Sequence, residues 1–213
     1  MSVRDQRDVL EEVVVSIRNA DVLSVAVRGV TRETVTGSLT GSDEIDLEKG
    51  NVKNVKTVLI GGVGTSDYTV NYKTGVITLN NAVTDNYSVT YDFGPDKIFS
   101  GYPRSDLTIN SFPRIAVEYV DIQSNVGGFG NVNVNKHDIS VVVYDADKEN
   151  IREVMFNIRT WAVNNQNTLK YLRLLKPVMT GPIMIAGEFN KFKDKVMKQN
   201  FDVAGLLDYE VNN

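Results

Sequence analysis

The stretch "DYTVNYKTGVITLNN", residues 67–81, limits the possible folds more than any other part of this chain. Tyr68, Val70 and Tyr72 alternate with Thr69 and Asn71, the period of a strand with one face buried. Gly75 stands where a short hairpin loop needs positive φ. "NYSVTYDF" (86–93) repeats the alternation with Tyr87, Val89 and Tyr91, and "VKTVLIGG" (55–62) supplies a further strand. From about 22 to 95 the chain is rich in Val, Thr, Gly, Asn and Asp, so this part predicts a compact antiparallel β unit.

The flanks follow other periods. Within 4–19, Val9, Leu10, Val13, Val14 and Ile17 fall on one face of a helix, while Arg4, Arg7, Glu11, Glu12 and Arg18 take the solvated positions. After 96, "RIAVEYV" (114–120) and "HDISVVVYDA" (137–146) read as strands, the second apolar on nearly both faces and therefore central in its sheet. Between them "DIQSNVGGFGNVNVNK" (121–136) reads as a loop or hairpin tip, from its glycines and asparagines. "DKENIREVMFNIRTWAV" (147–163) places Ile151, Val154, Met155, Ile158 and Trp161 or Ala162 on a helical stripe, with Asp145 or Asp147 as the cap. "NTLKYLRLLK" (167–176) predicts a second helix stopped by Pro177, and "GPIMIAGEF" (181–189) and "KVMKQNFDVAGLLDYEV" (195–211) close the chain as strands.

The fold class is α+β: an antiparallel or mixed sheet with helices on one face, plus an inserted all-β module. The divisions are 1–21, a helix packing on the C-terminal domain; 22–95, the inserted antiparallel β module; and 96–213, the α+β domain. The "GPDK" step at 94–97 marks the second boundary.

Little in the sequence points to chemistry. With no cysteine, disulfides, thiolate nucleophiles and Cys-based metal sites are excluded together. The single histidine, His137, is read as a polar residue at a strand start, without the ligands or the nucleophile elbow that would make it a metal or triad residue. "GGVGTS" (61–66) and "GGFGN" (127–131) lack the Gly-Lys-Ser/Thr spacing and the following helix of phosphate loops, so both read as turns. The acidic pairs Asp43/Glu44 and Asp145/Asp147 lack the calcium-loop spacing. The reading is therefore a protein that is not an enzyme, with no cofactor and no metal. A net charge of −4 argues against wrapping nucleic acid. No apolar run is long enough to cross a bilayer and the N-terminus lacks a signal-peptide pattern, so a cytosolic site of folding is expected.

The layout of 98–211 resembles the tail terminator and tail-completion proteins of tailed phages. The features that carry the likeness are the Pro-flanked lead-in "FSGYPRSDLTINSFPRIAVEYV" (Pro103, Pro113), which holds Tyr102 and Phe112 extended, the strand-to-helix step at Val143–Glu149, and the alternating last strand "NFDVAGLLDYEV". The hairpin at 67–81 also looks like β modules of phage structural proteins. The resemblance implies a virion protein at the neck, assembled in the host cytoplasm. It would form a homo-oligomeric, hexameric ring that caps the tail tube and joins it to the head-side connector, with DNA only passing through the lumen and no membrane partner. Its partners would be itself, the tail tube protein and the connector. A ring needs two different patches that meet head to tail, and the candidates are the loop around Val126, Phe129 and Val132 and the C-terminal strand around Phe201, Leu206 and Leu207. The competing readings are another neck or baseplate component, and a carbohydrate-binding adhesin using Tyr68, Tyr72, Tyr87 and Tyr91.

Overall fold

The computed structural model describes residues 6–101, 112–126, 132–165, 176–188 and 195–211. In chain order its elements are α1 (Gln6–Asn19), α2 (Val25–Arg28), β1 (Thr31–Asp46), β2 (Val52–Ile60), β3 (Val63–Gly64), β4 (Tyr68–Asn71), β5 (Val76–Phe93) and β6 (Ile98–Ser100). Then come β7 (Arg114–Val126), β8 (Val132–Asp145), α3 (Lys148–Asn164), β9 (Lys176–Thr180), β10 (Met184–Glu188) and β11 (Lys195–Val211). The chain divides into two compact units, one made of 1–22 with 97–213 and the other of 23–96. Together the elements make a mixed, strand-rich α+β chain with two sheets.

The smaller unit opens with one turn of helix, α2, where β structure alone was expected. Ser24 starts the turn by accepting the Val27 N–H at 3.3 Å, and Gly29 ends it in the left-handed region at φ 78°. Five strands follow in the order β1-β5-β2-β3, with β4 also on β5. The hairpin expected at 67–81 is the β4–β5 pair, with Tyr68 opposite Leu79 and Asn71 opposite Val76. The two strands expected at 76–81 and 86–93 are one strand. β5 runs 18 residues, and the register slips where Ser42 pairs with Val83 but Glu44 with Thr78. The slip bends both long strands, so the same pair contributes to the core twice, through Leu39 and Val89 before it and Ile45 and Ile77 after it.

The larger unit carries a six-stranded sheet in the order β10-β11-β8-β7-β6, with β9 also on β11. β6 joins β7 in parallel and the other pairs are antiparallel, so the sheet is mixed. α1 lies against β6 and β7, and α3 against β8, β9 and β11. The Trp161 indole N–H donates to Ser16 Oγ at 2.9 Å, tying α3 to α1 on one face of the sheet. Val9, Val13, Val14 and Ile17 of α1 are buried, and so are all six residues of the α3 stripe, Trp161 and Ala162 included. Of the two candidate caps, Asp147 does the work, accepting the Glu149 N–H at 2.9 Å. Asp145 accepts the Asp147 N–H at 3.0 Å, one step earlier.

Three expectations change here. Strand β7 continues to Val126 and β8 starts at Val132, so most of the segment read as loop is paired ladder, Asn125 opposite Val134 and Ser124 opposite Asn135. Asparagine and serine lowered the expected strand content, but a ladder is held by backbone groups that every residue except proline supplies. His137 is inside β8, not at its start, and is 1% exposed. Lys176 and Pro177 belong to β9, where Pro177 sits opposite Val203 beside the β9–β11 register slip, and bulges are among the strand positions that tolerate proline. The rest of the helix expected at 167–176, together with Tyr102, Pro103 and the "GGFGN" segment, lies outside the described residues.

Candidate functional site

Five of the six residues expected to make subunit contacts, Val126, Val132, Phe201, Leu206 and Leu207, belong to the larger unit, on β7, β8 and β11. Between Tyr119 and Asp121 the β7–β8 register slips, and between Val203 and Leu206 the β8–β11 register slips at the same level. Aligned bulges bend neighbouring strands together. Beyond that line the three strands continue side by side as 121–126, 132–137 and 206–211. Leu206 pairs with His137, Leu207 with Lys136, Val126 with Asn133, and Val132 with Val211. Register therefore brings Val126, Val132, Leu206 and Leu207 into one three-stranded extension, while Phe129 lies outside the described residues. Phe201 is a correction. It precedes the bulge line, opposite Val141, and is 2% exposed. The chain's own core takes up that side chain and leaves no surface for a second copy.

The outer borders of the sheet are missing from the sequence expectations. β10 exposes Met184 at 44% and Ile185 at 63%. On the opposite border, β6 covers only Ile115, Ala116 and Val117 of β7. Next along β7 stand Glu118 and, at the bulge, Val120 with 61% of its surface exposed. One carboxylate oxygen of Glu118 is buried without a hydrogen-bond partner among the described residues. The signal for the β10 border was the apolar triplet Ile183–Ile185, which alternation alone does not assign to core or contact.

At the start of β7 lies a polar group around one buried arginine. Arg114 is 6% exposed, its guanidinium 5.9 Å from the Phe112 ring centre, and Lys97 Nζ reaches the Phe112 carbonyl at 3.4 Å. Burial pulls the Arg114 and Lys97 pKa values down. For Lys97 the charge of Arg114 adds to the effect and that of Asp145 opposes it. His137 Nδ1 and the Tyr119 hydroxyl lie 2.7 Å apart in a hydrogen bond, with the rings edge to face.

The smaller unit holds an ion network on four parts of its chain. Arg28, 1% exposed at the end of α2, donates to Asp92 Oδ2 at 2.8 Å, to both oxygens of Asp96 at 2.8 and 3.0 Å, and to Asn54 Oδ1 at 3.0 Å. Arg32 grips the same Asp92 from the other side at 2.6 and 2.9 Å. Burial alone would raise the Asp92 pKa, but the hydrogen bonds and charges of Arg32 and Arg28 outweigh it and hold this carboxyl below the usual range. With Arg28 Nε, Nη1 and Nη2 all bonded within the unit, the network is a clasp between chain segments.

The tyrosine stripe is core packing. Tyr91 is 1% exposed and its hydroxyl donates to the Leu47 carbonyl at 2.7 Å, while Tyr68, Tyr72 and Tyr87 are partly buried against the same apolar cluster. Tyr87 covers Gly37 across the strand pair, where a Cβ would fall 2.6 Å from its hydroxyl oxygen. Burial first, and then Glu33, pushes the Tyr91 phenol up to about 12. A folded pKa above the unfolded value near ~10 means the folded chain keeps its proton longer, so stability falls as pH rises from about 10 to about 12. Denaturant titrations across that window should show the fall, and Tyr91→Phe should flatten it.

Among the described residues no three His, Asp or Glu side chains converge on a metal-sized site, and no helix is long and apolar enough to cross a membrane. Gly61 and Gly62 form the positive-φ turn between β2 and β3. No protein-family model matches the chain, and no curated protein matches it significantly.

Proposed function

We propose that this chain is a structural virion protein, a ring-forming tail terminator or tail-completion subunit that caps the tail tube and joins it to the head-side connector. The observation that carries the reading is the three-stranded extension of β7, β8 and β11. It sets four of the six expected contact residues on one projection beyond the shared bulge line, while the helices pack on one face of the same sheet. A subunit that works by docking needs such a projection and two dissimilar borders, and it needs no reactive centre. The 98–211 layout adds the likeness to terminator proteins. In this reading the 23–96 unit is a β module inserted into the ring-forming domain. DNA passes through the lumen without being read.

The purified full chain should assemble into a closed sixfold ring, seen by light scattering and electron microscopy. Particles made without it should carry tubes of uncontrolled length and fail to join heads. A chain that stays monomeric at high concentration, with normal tubes in its absence, would overturn the reading.

A further inference from the structure

We propose that the two borders of the six-stranded sheet are the two halves of one head-to-tail contact between copies of this chain, the β10 border of one copy meeting the exposed β7 border of the next. This proposal rests on the ring reading and names the contact that closes the ring. An edge strand presents unpaired backbone groups, and natural proteins blunt such edges with charge or proline, or cover them. β10 carries instead the consecutive apolar residues Met184 and Ile185, 44% and 63% exposed. Consecutive strand positions point to opposite faces, so this border is apolar on both sides. The β7 border past β6 exposes Val120 at 61%.

Charge on the two borders is complementary. Lys198 lies opposite Met184 on the neighbouring strand, so both side chains share one face of the sheet. Across the sheet Lys198 aligns with Tyr144 and Tyr144 with Arg114. Glu118, four residues along β7 from Arg114, therefore lies on that same face. Lys198 and Glu118 are both half-exposed, and neither makes an ion pair among the described residues. Beside one border aliphatic surface thus stands with a half-exposed ammonium, and on the other with a half-exposed carboxylate. The two patches differ, so each completes the other and neither completes itself. That is the arrangement of a heterologous contact, which closes into a ring when the rotation allows. A second copy of this chain is the occupant that brings both.

The test uses full-length Ile185→Lys and Val120→Lys chains, each changed at one exposed position. At a concentration where the unchanged chain assembles, each variant alone should run as a monomer. An equimolar mixture should give dimers and stop there, because only one intact pair of borders remains. Lys198→Glu and Glu118→Lys should each weaken assembly at least tenfold, and combining them in one chain should restore it. Unfolding midpoints matching the unchanged chain exclude misfolding, and the charge swap carries the same test if a lysine variant fails to fold. Variants that assemble like the unchanged chain, or a mixture that stays monomeric, overturn this contact and leave the ring reading in place. An unchanged chain that is itself monomeric overturns both.

Discussion

Arg28→Ala should destabilise the 23–96 unit by about 3–5 kcal/mol, because it strips the counter-charge from carboxylates that cannot reach water. Asp92 is buried with Arg28 on one side, and the Asp96 side chain is only 2% exposed. Removing the guanidinium also takes away the bond it donates to the Asn54 side-chain oxygen. Arg32→Ala is the contrast. Its side chain is 29% exposed and Asp92 keeps Arg28, so a loss of about 1 kcal/mol is expected. Acid should reproduce part of the larger effect. The folded Asp92 pKa lies below the ordinary carboxyl value. The stability it contributes is therefore present above about 4 and is lost as pH falls through the depressed folded value. Hydrogen exchange at β5 amides reads the loss where it occurs. Protection of β5 unchanged in Arg28→Ala would show that the clasp does not hold the unit together.

That clasp had no signature in the sequence. Arg28 meets Asn54, Asp92 and Asp96 across 26, 64 and 68 residues, and a single arginine after a short apolar run resembles any solvated cation. What the sequence did make legible was local. The α1 and α3 stripes follow from helical spacing, and the β4–β5 hairpin follows from alternating tyrosines with Gly75 at the turn. β1 was not distinguished, because Val35, Leu39 and Ile45 are diluted by threonine, glycine and acids over 16 residues. Phe201 marks the limit for the site. Alternation shows that one face of β11 is apolar, but the partner covering that face, a helix of the same chain or a second copy, is set by contacts distant in sequence. Exposed Ile185 and Val120 were missed for the converse reason, since a strand residue reads the same whether its outer side is covered or open.

Gly75→Ala should cost about 2–5 kcal/mol, summing a left-handed backbone penalty of about 1–2 kcal/mol and an overpacking cost of about 1–3 kcal/mol. The residue has φ 80°, and an added Cβ would fall 2.0 Å from the Lys49 carbonyl oxygen, a backbone atom that cannot swing aside. Its own carbonyl accepts the Leu47 N–H at 3.0 Å, and Asn51 and Val52 donate to Lys73 and Tyr72 at 3.2 and 2.8 Å, so the turn is fastened to the 47–52 segment. Gly62 is the matched control. Its φ is also 80°, and nothing lies within 4 Å of its would-be Cβ. Gly62→Ala should therefore cost only the backbone penalty, about 1–2 kcal/mol. The difference between the two midpoints measures the close approach alone, and equal midpoints would show that the β4–β5 turn is not held against 47–52. The same variant also separates the roles of the two units. If subunit contacts reside in the sheet borders of the larger unit, loosening the smaller one through Gly75→Ala leaves the oligomer intact while protection in β4 and β5 is lost. Oligomer loss in step with that protection would place the contacts in the β module.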